Sequence, residues 1–184
     1  IDNDWLNFAG QLALALDSDT NNTSLVLAFE LIDSGKFLLF PGDAQVGNWL
    51  SWHNYEWKVK DRGNELETIN IKHILERTVF YKVGHHGSHN ATLKENGLEM
   101  MTDDKLSAMI PVDRKKAQEK EWDMPYPPLY TALKAKTRGR ILLADEIFNE
   151  NKKPSSLPVW QWETFKKQVS QDEEGLFVDL EIKC

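Results

Sequence analysis

The stretch Val-Phe-Tyr-Lys-Val-Gly-His-His-Gly-Ser-His-Asn at residues 79–90 joins a short apolar run to a cluster of histidines. Its first five residues have the composition of a buried β-strand. The glycines that follow let the backbone bend, so we expect His85 and His86 at the end of that strand. Because binding sites in open α/β sheets lie at the carboxyl ends of strands, this stretch predicts a functional site.

A second stretch, upstream, has the same design. Residues 36–44 read Lys-Phe-Leu-Leu-Phe-Pro-Gly-Asp-Ala, an apolar run followed by a glycine and the carboxylate of Asp43. Residues 24–32 form another β-type run, and the segment between the two runs predicts a hairpin turn with Gly35 at positive φ. Two predicted strands therefore end in side chains of the kind that bind metals.

Helical patterns and apolar runs alternate along the rest of the chain. Helices are predicted at residues 4–16, 46–55, 68–77, 92–101, 115–122 and 129–137, and further strands at 106–112, 140–144 and 176–182. Residues 57–61 are compatible with a strand or a loop. The alternation predicts an α/β fold in which a mixed β-sheet contains parallel pairs and has helices packed on it.

Length and composition narrow the class of protein. With 184 residues and 41% hydrophobic content, the chain is expected to form a single domain at 1–184, with its core at 21–145 and a linker and C-terminal extension at 146–184. A net charge of −7 argues against a broad basic surface, so nucleic acid is expected only as a substrate. No run approaches the roughly 20 apolar residues of a membrane span, and one cysteine favours a cytoplasmic location.

The histidine cluster and Asp43 suit a zinc site without cysteine. His85, His86 and His89 are three of only five histidines, imidazole is the commonest zinc ligand, and an aspartate can bridge two cations. The structural alternative is that Asp43 caps a turn and His85 satisfies a buried hydrogen bond. The occurrence of both motifs at strand ends favours the site.

The order of these motifs resembles a known family. Asn-Thr-Ser-Leu-Val-Leu from residue 22, Leu-Leu-Phe-Pro-Gly-Asp-Ala at 38–44 and Val-Gly-His-His-Gly-Ser-His-Asn at 83–90 resemble the C-terminal half of a metallo-β-lactamase-fold hydrolase. The likeness covers residues 21–145 and is strongest to the branch containing the hydrolase domain of DNA-uptake competence proteins. The resemblance implies an αββα sandwich, two bound metal ions, usually zinc, and a metal-activated hydroxide that attacks a phosphodiester, ester or amide.

The resemblance also suggests roles for individual residues. Asp43 corresponds to the metal-bridging aspartate, and His85 or His86 to the late histidine ligand; the sequence leaves open which of the two binds. Asp43 and His86 are the predicted catalytic residues. The substrate-adjacent residues are expected to be Ser88, His89 and Asn90, with local turn hydrogen bonding as the alternative role of Ser88 and Asn90.

One part of the family pattern is absent. The principal metal motif, His-x-His-x-Asp-His, belongs to the N-terminal half of such enzymes and does not occur in this chain. Together with a start at Ile1, this predicts a fragment that is inactive alone and whose partner is the missing N-terminal half. The alternative is a non-catalytic interaction or scaffold domain, and an exposed sheet edge could produce a homodimer.

Seven tryptophans are many for this length. Trp49, Trp52 and Trp57 follow the Asp43 loop, and their spacing favours core residues that cover the sheet over walls of a substrate cleft. Trp160 and Trp162 are expected to be partly exposed, on a segment that the missing half would cover.

Overall fold

The centre of the fold is a five-stranded mixed sheet. The computed structural model of the chain describes residues 23–60, 63, 65–172 and 174–183, so the helix predicted at 4–16 lies outside the described residues. The strands are β1 (Leu27–Leu31), β2 (Lys36–Phe40), β3 (Glu56–Lys60), β4 (Leu66–Asn70), β5 (Thr78–Lys82), β6 (Ser107–Ile110), β7 (Ile141–Leu143), β8 (Val169–Gln171) and β9 (Val178–Leu180). The main sheet has the order β1-β2-β5-β6-β7, and β3-β4 and β8-β9 form two separate hairpins.

Helices connect the strands of the main sheet and pack on it. They are α1 (Val46–Trp52), α2 (Ile71–Glu76), α3 (Arg114–Glu119), α4 (Pro127–Lys136) and α5 (Val159–Gln168), with short 3-10 turns at His85–Gly87 and Leu98–Met100. Strand β1 is antiparallel to β2, whereas β2, β5, β6 and β7 run parallel. This confirms an α/β fold built on a mixed sheet with helices packed on it.

The strands predicted for the two motifs are confirmed. The β1-β2 hairpin turns through Gly35, which has φ of +64°. The run that precedes the histidines forms β5, which is buried over four of its five residues. Since β2 and β5 are parallel neighbours, their carboxyl ends lie side by side.

One predicted helix is wrong in part and another is wrong as a whole. Residues 66–70 form β4 and pair with β3, and only the second half of the predicted 68–77 helix is helical, because Asn70 caps α2 by accepting a hydrogen bond from His73 N–H. The helix predicted at 92–101 is replaced by turns. A Cβ on Gly97 would collide with the Leu93 carbonyl oxygen and lie 3.1 Å from the Trp49 ring, and this close packing accompanies a non-helical backbone at Gly97.

The first face of the sheet is covered by helices. Its core joins apolar side chains of the central strands to those of α1, α2 and α4, including Tyr81, Trp49, Leu75 and Leu133, all at most 1% exposed. Trp49 is therefore a core residue, as its spacing predicts. Trp52 packs against the same core, and Trp57 is 37% exposed.

The second face is only partly covered. Over β6 and β7, Met109 and Leu142 pack with Trp162 and Phe165 of α5. Trp162 is only 4% exposed, so the prediction that it is partly exposed is wrong, whereas Trp160 is 66% exposed as predicted.

Aromatic rings line the other half of that face. The rings of Phe29, Phe40 and Phe80 are in contact across β1, β2 and β5, with centroids 5.6 and 5.5 Å apart. Phe29 at the outer strand is 50% exposed. An apolar sheet surface therefore remains accessible beside the covered one.

No helix in the described ranges is both long enough and apolar enough to cross a bilayer.

Tyr81 links strand β5 to the loop after the histidines. Its hydroxyl lies 2.6 Å from Thr92 Oγ1 inside the core. Burial raises the pKa of the Tyr81 hydroxyl above its usual range, because a buried phenolate would lose its water. In alkaline solution the folded chain therefore keeps a proton that the unfolded chain releases.

Because of this proton, the stability difference between the wild type and Tyr81→Phe is expected to depend on pH. At about pH 8 the variant is expected to lose about 1 kcal/mol, the usual net contribution of a hydrogen bond. Above about pH 10 the wild type loses roughly 1.4 kcal/mol per pH unit through this group, since its unfolded state ionises there, and the variant does not. Urea unfolding at several pH values should show the difference shrinking to zero near pH 11. A constant difference would contradict the assignment.

Candidate functional site at the strand ends

The Asp43 loop and the histidine loop touch through their backbones. The His85 N–H donates to the Gly42 carbonyl oxygen at 3.1 Å. A Cβ built on Gly84 would lie 2.7 Å from that same oxygen, so only glycine allows this approach without displacement. The two motifs, some forty residues apart in sequence, therefore share one rim of the sheet.

Backbone contacts fix the position of the Asp43 loop. The Asp43 backbone N–H donates to Ser24 Oγ at 3.2 Å, which fixes the loop to the segment before β1. Gly42 has φ of +59° and a Cβ there would lie 2.9 Å from the Leu25 carbonyl oxygen. Within the described part of the chain, no side chain forms a hydrogen bond or ion pair with the carboxylate, so its oxygens remain available to a ligand.

His86 is held in one tautomer. Its Nδ1 lies 2.6 Å from the Pro111 carbonyl oxygen at the end of β6. A carbonyl can only accept, so Nδ1 carries the hydrogen and Nε2 carries the lone pair. The side chain is exposed, and one ring nitrogen is bonded to the protein, as is usual for a metal-binding imidazole.

His85 has the same tautomer through a short relay. The Ser88 hydroxyl donates to Asn90 Oδ1 at 2.7 Å and lies 3.0 Å from His85 Nδ1. Since its one hydrogen is used on Asn90, the hydroxyl oxygen must accept from Nδ1–H, which leaves Nε2 of His85 with the lone pair. Ser88 and Asn90 thus orient the His85 ring.

The histidine turn has an unusual backbone. His85, His86 and Gly87 have φ of 43°, 52° and 76°, so three successive residues are left-handed. This conformation costs a non-glycine residue roughly 1–2 kcal/mol. Hydrogen bonds hold it, including Ser88 N–H to the His85 carbonyl at 2.9 Å and Tyr126 N–H to the Gly87 carbonyl at 2.7 Å. Strained residues of this kind concentrate at functional sites.

His89 stands apart from the other two histidines in its contacts. Its ring lies 6.3 Å from the Tyr126 ring, edge to face, and the side chain is exposed. His85 and His86 have ring centroids 6.5 Å apart. The sequence-predicted residues therefore divide into a rim of Asp43, His85 and His86 and a flanking His89.

A cleft that sequence reasoning missed opens beside His86. It has a volume of about 510 Å³ and lies over the ends of β6 and β7, where Lys116, Trp122 and Asp145 line it together with His86. Arg114 binds the Asp145 carboxylate through its side-chain Nε and its backbone N–H, at 2.7 to 3.0 Å. The sequence feature that could have indicated this cleft is Trp122, an aromatic residue that follows a charged helix.

The donor atoms at the rim suit zinc in type, because two imidazole Nε2 atoms and one free carboxylate are ligands that zinc accepts. Their number and placement do not complete a site. Among the described residues, no three His, Cys, Asp or Glu side chains come close enough to hold one ion together. Any complete centre at this rim needs ligands from elsewhere.

Comparison with known proteins gives no relative: no family model, no curated protein and no solved structure matches this chain.

Ser88→Ala tests the relay to His85. Without the hydroxyl, Nδ1–H loses its acceptor, so His85 is expected to change from one tautomer to a mixture. Long-range ¹H–¹⁵N spectra of the histidine side chains would measure this directly. His86, which depends on Pro111 instead, provides the internal control in the same sample and should keep its single tautomer. Retention of one tautomer at His85 would rule out the relay.

Proposed function

We propose that this chain contributes the C-terminal half of a metal-dependent hydrolase that cleaves phosphodiesters. The observation that carries the proposal is the shared rim, where the loop of Asp43 is hydrogen-bonded through its backbone to the loop of two imidazoles that both present Nε2. The reaction class comes from the metallo-β-lactamase resemblance of the two motifs. A cytoplasmic location is part of the proposal and is supported by the single cysteine.

The remaining ligands would come from an N-terminal half with its own metal motif. The accessible apolar surface on the second sheet face, formed by Phe29, Phe40 and their neighbours, supports this because a second layer of the same protein would bury it. In isolation the chain is expected to form a homodimer through this surface. That dimer should weaken when the N-terminal half is supplied.

Metal titration and turnover together test the proposal. Zinc affinity of the chain is expected to fall at least tenfold in Asp43→Ala, His85→Ala and His86→Ala. With the N-terminal half supplied, hydrolysis of bis(p-nitrophenyl) phosphate should fall by about two orders of magnitude or more in Asp43→Ala. His53→Ala is the control, since His53 is exposed and bonded to the Asn96 carbonyl, away from the rim.

Two outcomes would reject the hydrolase. Zinc affinity and turnover that are unchanged in the Asp43 and His86 variants would remove these residues from any metal centre. A full-length protein with neither zinc nor turnover, but with a partner held on the apolar sheet surface, would support the interaction domain instead.

A further inference from the structure

The cleft beside His86 is lined by an exposed aromatic side chain and by a lysine. Trp122 is 52% exposed, and its backbone N–H donates to the Ala117 carbonyl at 2.9 Å, which fixes it at the end of α3. Lys116 lines the same cleft. No described residue forms an ion pair with its ammonium group. The volume of about 510 Å³ is in the usual range for a small-ligand site.

The carboxylates of the cleft are already engaged, so they weaken its attraction for anions only partly. Asp145 is paired with Arg114 at 2.9 Å. Asp113 caps α3 and accepts a hydrogen bond from the Lys116 backbone N–H at 2.9 Å. Among the described residues that line the cleft, Lys116 is therefore the cation that a ligand can reach.

We propose that this cleft binds a ligand in which a planar aromatic ring is joined to a phosphate group, as in a nucleotide, with Trp122 stacking on the ring and Lys116 contacting the phosphate. Stacking on tryptophan tolerates any base, because every base has a π-face. His86 lies at the boundary between the cleft and the rim. If the proposed hydrolase function holds, the cleft positions one side of the bond to be cleaved.

Three probes separate the two contacts in the metal-free chain: adenosine 5′-monophosphate, adenosine and ribose 5-phosphate. Trp122→Leu is expected to weaken binding of the first two about tenfold and to leave ribose 5-phosphate unchanged. Lys116→Ala should weaken binding of the two phosphates roughly threefold and leave adenosine unchanged. Calorimetry or fluorescence would measure the dissociation constants, with circular dichroism to check folding.

Matched controls exist on the same chain. Lys115 is the neighbour of Lys116 on α3 and is exposed outside the cleft, and Trp160 is 66% exposed on α5. Lys115→Ala and Trp160→Leu should leave all three affinities unchanged. Equal losses in a control and in its cleft variant, or no binding of the monophosphate to the wild type at millimolar concentration, would overturn the proposal.

A short oligoadenylate identifies the source of the nucleotide. If the oligoadenylate binds more tightly than the monophosphate, the ligand is a nucleic-acid strand. If the two bind equally, the ligand is a free nucleotide. Because these measurements need neither zinc nor turnover, they are independent of the hydrolase proposal. If zinc affinity is unchanged in the Asp43 and His86 variants while the three probes bind as expected, only the hydrolase is rejected. If zinc affinity falls as expected but the probes do not bind as expected, only the cleft assignment is rejected.

Discussion

Replacing Trp49 with alanine is expected to lower the free energy of unfolding by about 3–5 kcal/mol. The Trp49 side chain is fully buried between the Trp52 and Tyr81 rings, at centroid distances of 4.7 and 6.2 Å. Its Nε1–H also donates to the Ala91 carbonyl at 3.1 Å. The alanine variant leaves a large cavity and a buried carbonyl without its donor.

Urea unfolding followed by circular dichroism measures this loss. Trp49→Phe separates the two causes, because it keeps most of the ring contact and removes the hydrogen bond, and should cost less. Trp160→Ala is the control for an exposed tryptophan and should change stability by no more than about 0.5 kcal/mol. A loss below 1 kcal/mol in Trp49→Ala would mean that the ring does not support the loop after the histidines.

Gly84→Ala is expected to separate the two halves of the rim. The new methyl group would lie 2.7 Å from the Gly42 carbonyl oxygen and 3.1 Å from the Pro41 ring, so backbone must move. We expect a loss of about 1–3 kcal/mol in stability. We also expect the hydrogen bond from His85 N–H to the Gly42 carbonyl to break, which moves the imidazoles away from Asp43.

Hydrogen exchange of the His85 amide, together with zinc affinity, measures this separation. Gly47→Ala is the matched control, because a Cβ at Gly47, in the first turn of α1, meets nothing within 4 Å. That variant should be neutral or more stable by up to about 1 kcal/mol. If Gly84→Ala keeps a protected His85 amide and wild-type stability, the close approach of the loops is not a requirement of the fold.

The parts of the fold set by local patterns were predictable. Gly35 between two apolar runs gives the first hairpin, and Pro127 and Pro128 occupy the first turn of α4, as proline's fixed φ favours. The β-type run before the histidines gives β5. In these segments a few neighbouring residues determine whether the chain forms a strand, a turn or a helix.

The predictions fail where contacts between residues distant in sequence determine the local structure. Residues 66–70 show no alternation of apolar and polar side chains, and they form a strand by pairing with β3. The turn around Gly97 depends on Trp49, far away in sequence. In the site, the rim follows from parallel pairing of β2 and β5, whereas the bond from His86 to Pro111 and the cleft beside it depend on where β6 ends, which no local motif encodes.

Because α5 covers Met109 and Leu142, the segment after residue 145 has a part in the order of folding. Chain synthesis makes β6 and β7 before Trp162 and Phe165 of α5. Without α5, Met109 and Leu142 would leave an apolar strip of the sheet open to water. Complete burial of the main sheet therefore requires residues well beyond its last strand.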